Sequence, residues 1–301
     1  MKRILCICLS STLQRTVNFE NITLTEVNRS KNYRQDASGK AVNSARVLNQ
    51  LEKGCVKIVC PVGEKNQQLF EELAAKDELN IKTVAIPGFT RECWTLLDRN
   101  AGTTTELVVG EPLPGPEYTE EIRKAEIKLL KYINESFDEV EGVLLAGSRP
   151  GIWSEDLYGA IAGMSKDAGK VFLADYIGKD LEETLKTVTP DIIKINDEEF
   201  CKTFGVKPEE LKDSIISKSK ELGNIIVVTR GIDSTYGARN GEFAECPTEK
   251  VDAVNTTACG DSFNAGFLHE YLNTSDFNSA LKKGTWCAAR NAERETPGAI
   301  I

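Results

Sequence analysis

The sequence contains a single histidine, His269, and that scarcity excludes several chemistries at once. Zinc sites built from several histidines and facial-triad iron sites cannot be assembled. A Ser-His-Asp hydrolase would have one candidate base, and no G-x-S-x-G elbow accompanies it. Basic residues are also outnumbered, with 37 Lys and Arg against 46 Asp and Glu and a net charge of −9. A nucleic acid or an anionic membrane demands a basic face, so neither is expected as a partner. No run approaches the roughly 20 apolar residues of a membrane span. Ile4 to Leu9, behind Met1-Lys2-Arg3, is too short for a signal peptide. There is no C-x-x-C pair, no Walker A sequence, and no G-x-G-x-x-G after the first apolar run. The nine scattered cysteines therefore read as free thiols in a reducing, cytoplasmic compartment. Cys6 and Cys8, two apart in an apolar run, fit buried packing on one face of a strand better than a metal pair.

What is present suffices for a large core, since 41% of the 301 residues are hydrophobic and 28% are charged. Ile4 to Leu9, Lys57 to Cys60, Gly142 to Ala146, Val171 to Ala174, Ile192 to Lys194 and Ile225 to Val228 read as buried strands. Helical patterns fall between them, near 40–51, 69–75, 119–137, 154–168, 180–187 and up to 222. Such alternation predicts βαβ units and a mostly parallel sheet covered on both faces. A hairpin over 235–246 and helices starting near Gly260 and Phe277 close the chain. Two stretches differ: 15–35 alternates apolar and polar residues, and 93–109 reads as a hairpin turning at Asn100-Ala101-Gly102. The expectation is one α/β/α domain over 1–301, with a small antiparallel β lid from about 10–35 and 81–110. No repeat or long linker divides it.

In open α/β sheets, ligands bind beyond the carboxyl ends of the strands. The segment Asn255-Thr256-Thr257-Ala258-Cys259-Gly260-Asp261-Ser262-Phe263 places small residues before an apolar helix, with a carboxylate in its first turn. A helix N-terminus offers unpaired N–H groups and partial positive charge to a phosphate. A carboxylate beside bound phosphate is costly unless it has a task, and proton abstraction from a hydroxyl is one. Residue types alone leave open that Asp261 merely caps the helix. They likewise allow Asn196 and Glu199 to be an ordinary capped helix start.

Thr257-Ala258-Cys259-Gly260-Asp261-Ser262-Phe263 resembles the T-G-A-G-D-x-F signature of the ribokinase-like (PfkB) carbohydrate kinases. Asp36 to Leu48 resembles the same family's first signature, Lys194-Ile195-Asn196-Asp197-Glu198-Glu199 its K-P-N-x-x-E, and Val228-Thr229-Arg230-Gly231 its V-T-x-G. Thr90-Arg91, Thr105-Glu106 and Gly147-Ser148-Arg149-Pro150 agree in order. The likeness runs nearly end to end and is greatest to the tagatose-6-phosphate kinase and 1-phosphofructokinase branch.

The resemblance implies an ATP- and Mg²⁺-dependent kinase of a sugar or, with Lys40 and Arg91 as phosphate ligands, a sugar phosphate. Asp261 would be the base, and Ala258, Cys259 and Gly260 would supply the anion hole. Lys194, Asn196, Glu199, Thr229 and Gly231 would face the nucleotide, Glu199 reaching Mg²⁺ through water. Gln14, Ser38, Gly39, Lys40, Asn43 and Arg91 would face the acceptor. The lid would also pair two subunits into a homodimer.

Three departures from the family pattern touch contacts to substrate. Gln14 stands where the branch carries the Asp of N-P-A-L-D, and its neutral amide lacks charge-assisted strength. Ser38-Gly39-Lys40-Ala41 replaces G-G-K-G, adding bulk near the sugar. Ala258 replaces a glycine and would be strained at positive φ. Two alternatives therefore stand beside the sugar-phosphate kinase. One is a kinase of an unphosphorylated sugar or nucleoside; the other is a nucleotide- or sugar-phosphate-binding protein with weak or lost turnover.

Overall fold

The computed structural model describes residues 1–112 and 115–301. The chain opens with β1 (Ile4–Ile7), β2 (Thr12–Phe19), β3 (Tyr33–Ser38), α1 (Lys40–Leu51) and β4 (Val56–Gly63). It continues through α2 (Gln67–Lys76), β5 (Ile81–Ile86), β6 (Arg91–Asp98), β7 (Thr103–Val109) and α3 (Thr119–Ser136). Next come β8 (Gly142–Ala146), α4 (Leu157–Asp167), β9 (Val171–Asp175), α5 (Gly178–Thr187), β10 (Ile192–Asn196) and α6 (Asp197–Phe204). The last third holds α7 (Leu211–Leu222), β11 (Ile225–Thr229), β12 (Thr235–Arg239), β13 (Glu242–Cys246), α8 (Cys259–Thr274) and α9 (Phe277–Ala292).

Nine strands form the main sheet in the order β13-β12-β11-β10-β9-β8-β1-β4-β5. The ladders from β11 through to β5 are parallel, and β12 and β13 add an antiparallel edge. The continuous apolar runs follow from this arrangement, because a central strand buries both of its faces. On β1, Ile4 and Cys6, with Cys8 just beyond, enter the core layer under α1, α2, α8 and α9. Leu5, Ile7 and Leu9 enter the opposite layer, under α3 to α7. All nine cysteines are free, and Cys6 and Cys8 are fully buried on one face, as their spacing predicts. Among the described residues no helix is long and apolar enough to cross a membrane.

The second sheet has four strands in the order β3-β2-β6-β7. Two antiparallel pairs lie side by side, joined where β2 and β6 run parallel. Its boundaries differ from those read in the sequence. Residues 20–32 are mostly turn and irregular backbone, and pairing resumes only at Tyr33. Ile81–Ile86 does not join the lid; it is the outer parallel strand of the main sheet, paired to β4. An edge strand keeps part of one face in water, which gives β5 the same broken apolar pattern as a lid strand. The chain leaves β1 toward β4 and β5 on one side and toward β8 and its successors on the other. That reversal opens a crevice at the carboxyl ends, and the lid stands over it.

Candidate active site

A cavity of about 820 Å³ lies between these carboxyl ends and the lid. Into it come Ser38 and Gly39 from the end of β3, Asp175 from β9, Asn196 from β10, Thr229 from β11 and the first turn of α8. All fifteen residues singled out in the sequence line it: Gln14, Ser38, Gly39, Lys40, Asn43, Arg91, Lys194, Asn196, Glu199, Thr229, Gly231, Ala258, Cys259, Gly260 and Asp261. Ala41 does not. It is fully buried in the core, so its methyl takes no space from the cavity.

Asp261 is 6% exposed, and its Oδ2 accepts a 2.9 Å hydrogen bond from Asn43 Nδ2. The Asn43 amide can point only one way, since its Oδ1 already accepts from Ser38 Oγ at 2.8 Å and Arg46 Nη1 at 3.2 Å. Ser44 Oγ donates to the Asp261 carbonyl at 2.8 Å and ties the two helices together. The N-terminus of α8 has no side-chain cap, so Asp261 does not serve as one. Burial pushes the Asp261 carboxyl from its ordinary 3.8 up to about 6; Asp175 adds to this, against Lys40 and the Asn43 bond. A carboxyl titrating near the working pH is suited to proton abstraction.

Ala258 ends the preceding loop at φ 66°, ψ 12°, the left-handed region. This turn leaves the amides of Ala258, Gly260 and Asp261 without backbone partners among the described residues. Lys194 stands close by, and a Cβ on Gly260 would lie 2.9 Å from its Nζ. The ammonium and the free amides of the helix N-terminus bring positive charge to one point, so the arrangement suits phosphate. Left-handed backbone costs an alanine about 1–2 kcal/mol, against the smaller entropic penalty of glycine. Ala258→Gly is therefore expected to raise stability by about 0.5–1 kcal/mol in urea titration. A fall in stability would show that the methyl is needed for packing.

The sequence reading missed Asp175. Its side chain is 1% exposed, 3.2 Å from Lys40 Nζ and 3.6 Å from Lys194 Nζ, and it accepts from Asn264 Nδ2 at 2.5 Å. Burial pushes this carboxyl up, but Lys194, Lys40 and Asn264 outweigh burial and hold it below its ordinary value. Lys40 in turn is held above the usual lysine range, chiefly by Asp175. The two buried carboxylates of the cavity are thus driven apart, Asp175 ionised and Asp261 near neutrality, which is how acid and base roles separate.

Other predicted residues also have partners. Asn196 and Glu199 form a reciprocal capping box, Asn196 Oδ1 accepting from the Glu199 amide at 2.8 Å and Glu199 Oε2 from the Asn196 amide at 2.9 Å. Local helix structure therefore accounts for both, while the other Glu199 oxygen takes no hydrogen bond among the described residues and Glu199 lines the cavity. Arg91 donates from Nε to Thr12 Oγ1 at 2.8 Å and pairs with Glu111. Gln14 Nε2 donates to Thr95 Oγ1 at 2.5 Å. Gly39 precedes α1 at φ 122°, where a Cβ would meet Cys8 Sγ at 2.5 Å. Only glycine fits there.

The pfkB family carbohydrate kinase profile matches residues 2–300. The chain is 26% identical over 304 residues to tagatose-6-phosphate kinase of Staphylococcus epidermidis, covering 99% of this chain and 94% of that protein. A Thermotoga maritima protein described as a possible 1-phosphofructokinase superposes with a TM-score of 0.85 at 17% identity, over 98% of this chain and 93% of the other. Ribokinase from Thermotoga maritima superposes with a TM-score of 0.70 at 20% identity, over 99% and 95%.

Proposed function

Because the chain belongs to the pfkB family of carbohydrate kinases, with a ribokinase-like fold, we propose that it transfers a phosphoryl group from ATP to a hydroxyl of a sugar phosphate. The observation that carries this reading is Asp261, a buried carboxyl raised to about 6, in the first turn of a helix whose free amides adjoin Lys194. Asp261 takes the acceptor's hydroxyl proton while Asn43 holds the carboxylate toward the cavity. The amides of Ala258, Gly260 and Asp261, with Lys194, stabilise charge on the group in flight. Cys259, expected among the anion-hole residues, does not join them: its amide already donates to the Thr256 carbonyl at 3.3 Å, and burial pushes its thiol up. Asn196, Thr229 and Gly231 line the end of the cavity assigned to the nucleotide. The names of the tagatose-6-phosphate kinase and 1-phosphofructokinase relatives support a phosphorylated acceptor. Lys40 and Arg91 are the cations available for its phosphate.

Among the described residues no group of three or more His, Cys, Asp or Glu could hold a metal unaided. The donors present fit magnesium carried on ATP phosphates, since this ion keeps several of its waters. The free Glu199 oxygen would hold one such water. Magnesium supplies neutralisation of phosphate charge there. Nine free cysteines fit a cytoplasmic protein. Strand β7 is exposed along its whole length, and Leu107 and Val109, which alternate with the cavity-lining residues, fit the expected pairing of two lids.

One observation favours a neutral acceptor instead: Lys40 and Arg91 already face carboxylates, Asp175 and Glu111. ADP release measured across sugars, sugar phosphates and nucleosides decides between them. The expected result is fastest turnover with a ketohexose phosphate such as tagatose 6-phosphate or fructose 1-phosphate. Fastest turnover with an unphosphorylated sugar would establish the second reading, and background rates throughout would overturn both.

A further inference from the structure

Eight lid residues line the cavity, and Glu106 is the only carboxylate among them. It sits in the middle of β7, and the alternation of a strand turns Thr104, Glu106 and Val108 toward the same side. Its Oε1 accepts a hydrogen bond from Thr257 Oγ1 at 3.0 Å, across the cavity mouth, in the loop that leads into α8. The same oxygen lies 3.5 Å from Thr95 Oγ1, whose hydroxyl already accepts from Gln14 Nε2. Oε2 takes no hydrogen bond among the described residues. The carboxylate is therefore braced through one oxygen and free through the other. Gln14, with one amide N–H committed to Thr95, keeps its carbonyl as an acceptor. The lid thus offers two neighbouring hydrogen-bond acceptors and no free cation at this end.

Arg91 marks the other end. Glu106 pairs in register with Thr95 on β6, four residues along from Arg91. That separation is roughly 13 Å along the strand. A carboxylate attracts hydroxyl donors and repels phosphate, while a guanidinium does the reverse.

We infer that Glu106 determines acceptor specificity: its carboxylate receives hydroxyls of the sugar, as a vicinal diol, at the end away from the acceptor's anionic group. This inference rests on the kinase reading above and gives it a direction. The acceptor lies with its diol toward Glu106 and Gln14 and its charge toward Arg91. Thr257 joins the same carboxylate to the loop carrying the free amides, so the side chain that reads the sugar also closes the lid on that loop.

The test is steady-state kinetics of wild-type protein, Glu106→Gln and Glu106→Asp at saturating ATP, with the best acceptor and each of its monodeoxy analogues. Glu106→Gln should raise the acceptor KM by about 10–100-fold, the worth of a hydrogen bond to a charged group. The KM for ATP should stay within about twofold, and Glu106→Asp should recover part of the loss. One deoxy analogue, lacking a hydroxyl of the diol, should be poor for the wild type yet cost Glu106→Gln almost nothing further. Losses that multiply independently for every analogue would overturn the inference and leave Glu106 a brace between β7 and Thr257. An unchanged acceptor KM in Glu106→Gln would overturn it as well. If the wild type itself phosphorylates no sugar or sugar phosphate, the kinase reading fails and this inference falls with it.

Discussion

Asp261→Asn is expected to remove nearly all turnover and, at neutral pH, to make the protein more stable. The loss should be at least the roughly 10²–10⁴-fold contributed by a general base. Nucleotide affinity should hardly change, because the amides and Lys194 are untouched. The gain in stability follows from the raised carboxyl. A group titrating at about 6 in the fold and 3.8 when unfolded keeps its proton more tightly in the native state. Native stability therefore falls as pH rises from below 3.8 to above 6, by about 3 kcal/mol in all. Asparagine resembles the protonated carboxyl in shape, can still accept from Asn43, and has no proton to lose. Its advantage should reach about 2–3 kcal/mol at pH 8 and disappear near pH 3. In the wild type kcat/KM should fall as pH drops below about 6, where the base is protonated. Urea titrations at pH 8 and pH 3, beside turnover, check both halves. Wild-type-like turnover would exclude Asp261 as the base. Lower stability at pH 8 would mean that its carboxylate is better compensated than its burial implies.

The parallel strands could be read from the sequence because burial on both faces forces runs such as Ile225 to Val228. The lid was legible only in outline. β5 and a lid strand both meet water on one side, and periodicity alone does not say which sheet a half-buried strand joins. The residues gathered at the cavity came from resemblance rather than from spacing. Taken by themselves, Asn196 and Glu199 make the capping box that their types suggest. Asp175 was missed although a signal existed: it is the polar residue closing an apolar strand, as Asn196 closes Ile192 to Ile195. In a parallel sheet that position faces the ligand crevice. No local pattern could have shown that Asp175 pairs with Lys40, 135 residues away, or that Glu106 meets Thr257 across 151 residues. Those contacts exist only once the lid and the sheet are assembled.

Asp175→Asn should be the most destabilising single change in the cavity, and it should also move the pH profile. Asp175 is 1% exposed and compensates two ammonium groups, Lys40 and Lys194. Removing it leaves the buried ammonium of Lys194 uncompensated, at about 3–5 kcal/mol, while Lys40, with its side chain 42% exposed, adds less. Because this carboxyl titrates below its ordinary value in the fold, the stability it confers is complete above about pH 4 and is lost as pH falls through the native value. The gap between wild type and variant should therefore be full at pH 7 and narrow toward pH 3. The same substitution acts on the base. Asp175 helps to raise Asp261, whereas Lys40 lowers it, and without Asp175 the Lys40 charge turns wholly toward Asp261. Both changes lower the Asp261 titration, so the acid limb of kcat/KM should shift below pH 6. Thermal or urea unfolding against pH gives the first effect, and kcat/KM against pH gives the second. A limb that stays in place would show that the two carboxylates do not sense one another. A stability loss under about 1 kcal/mol would show that water, rather than Asp175, balances the two lysines.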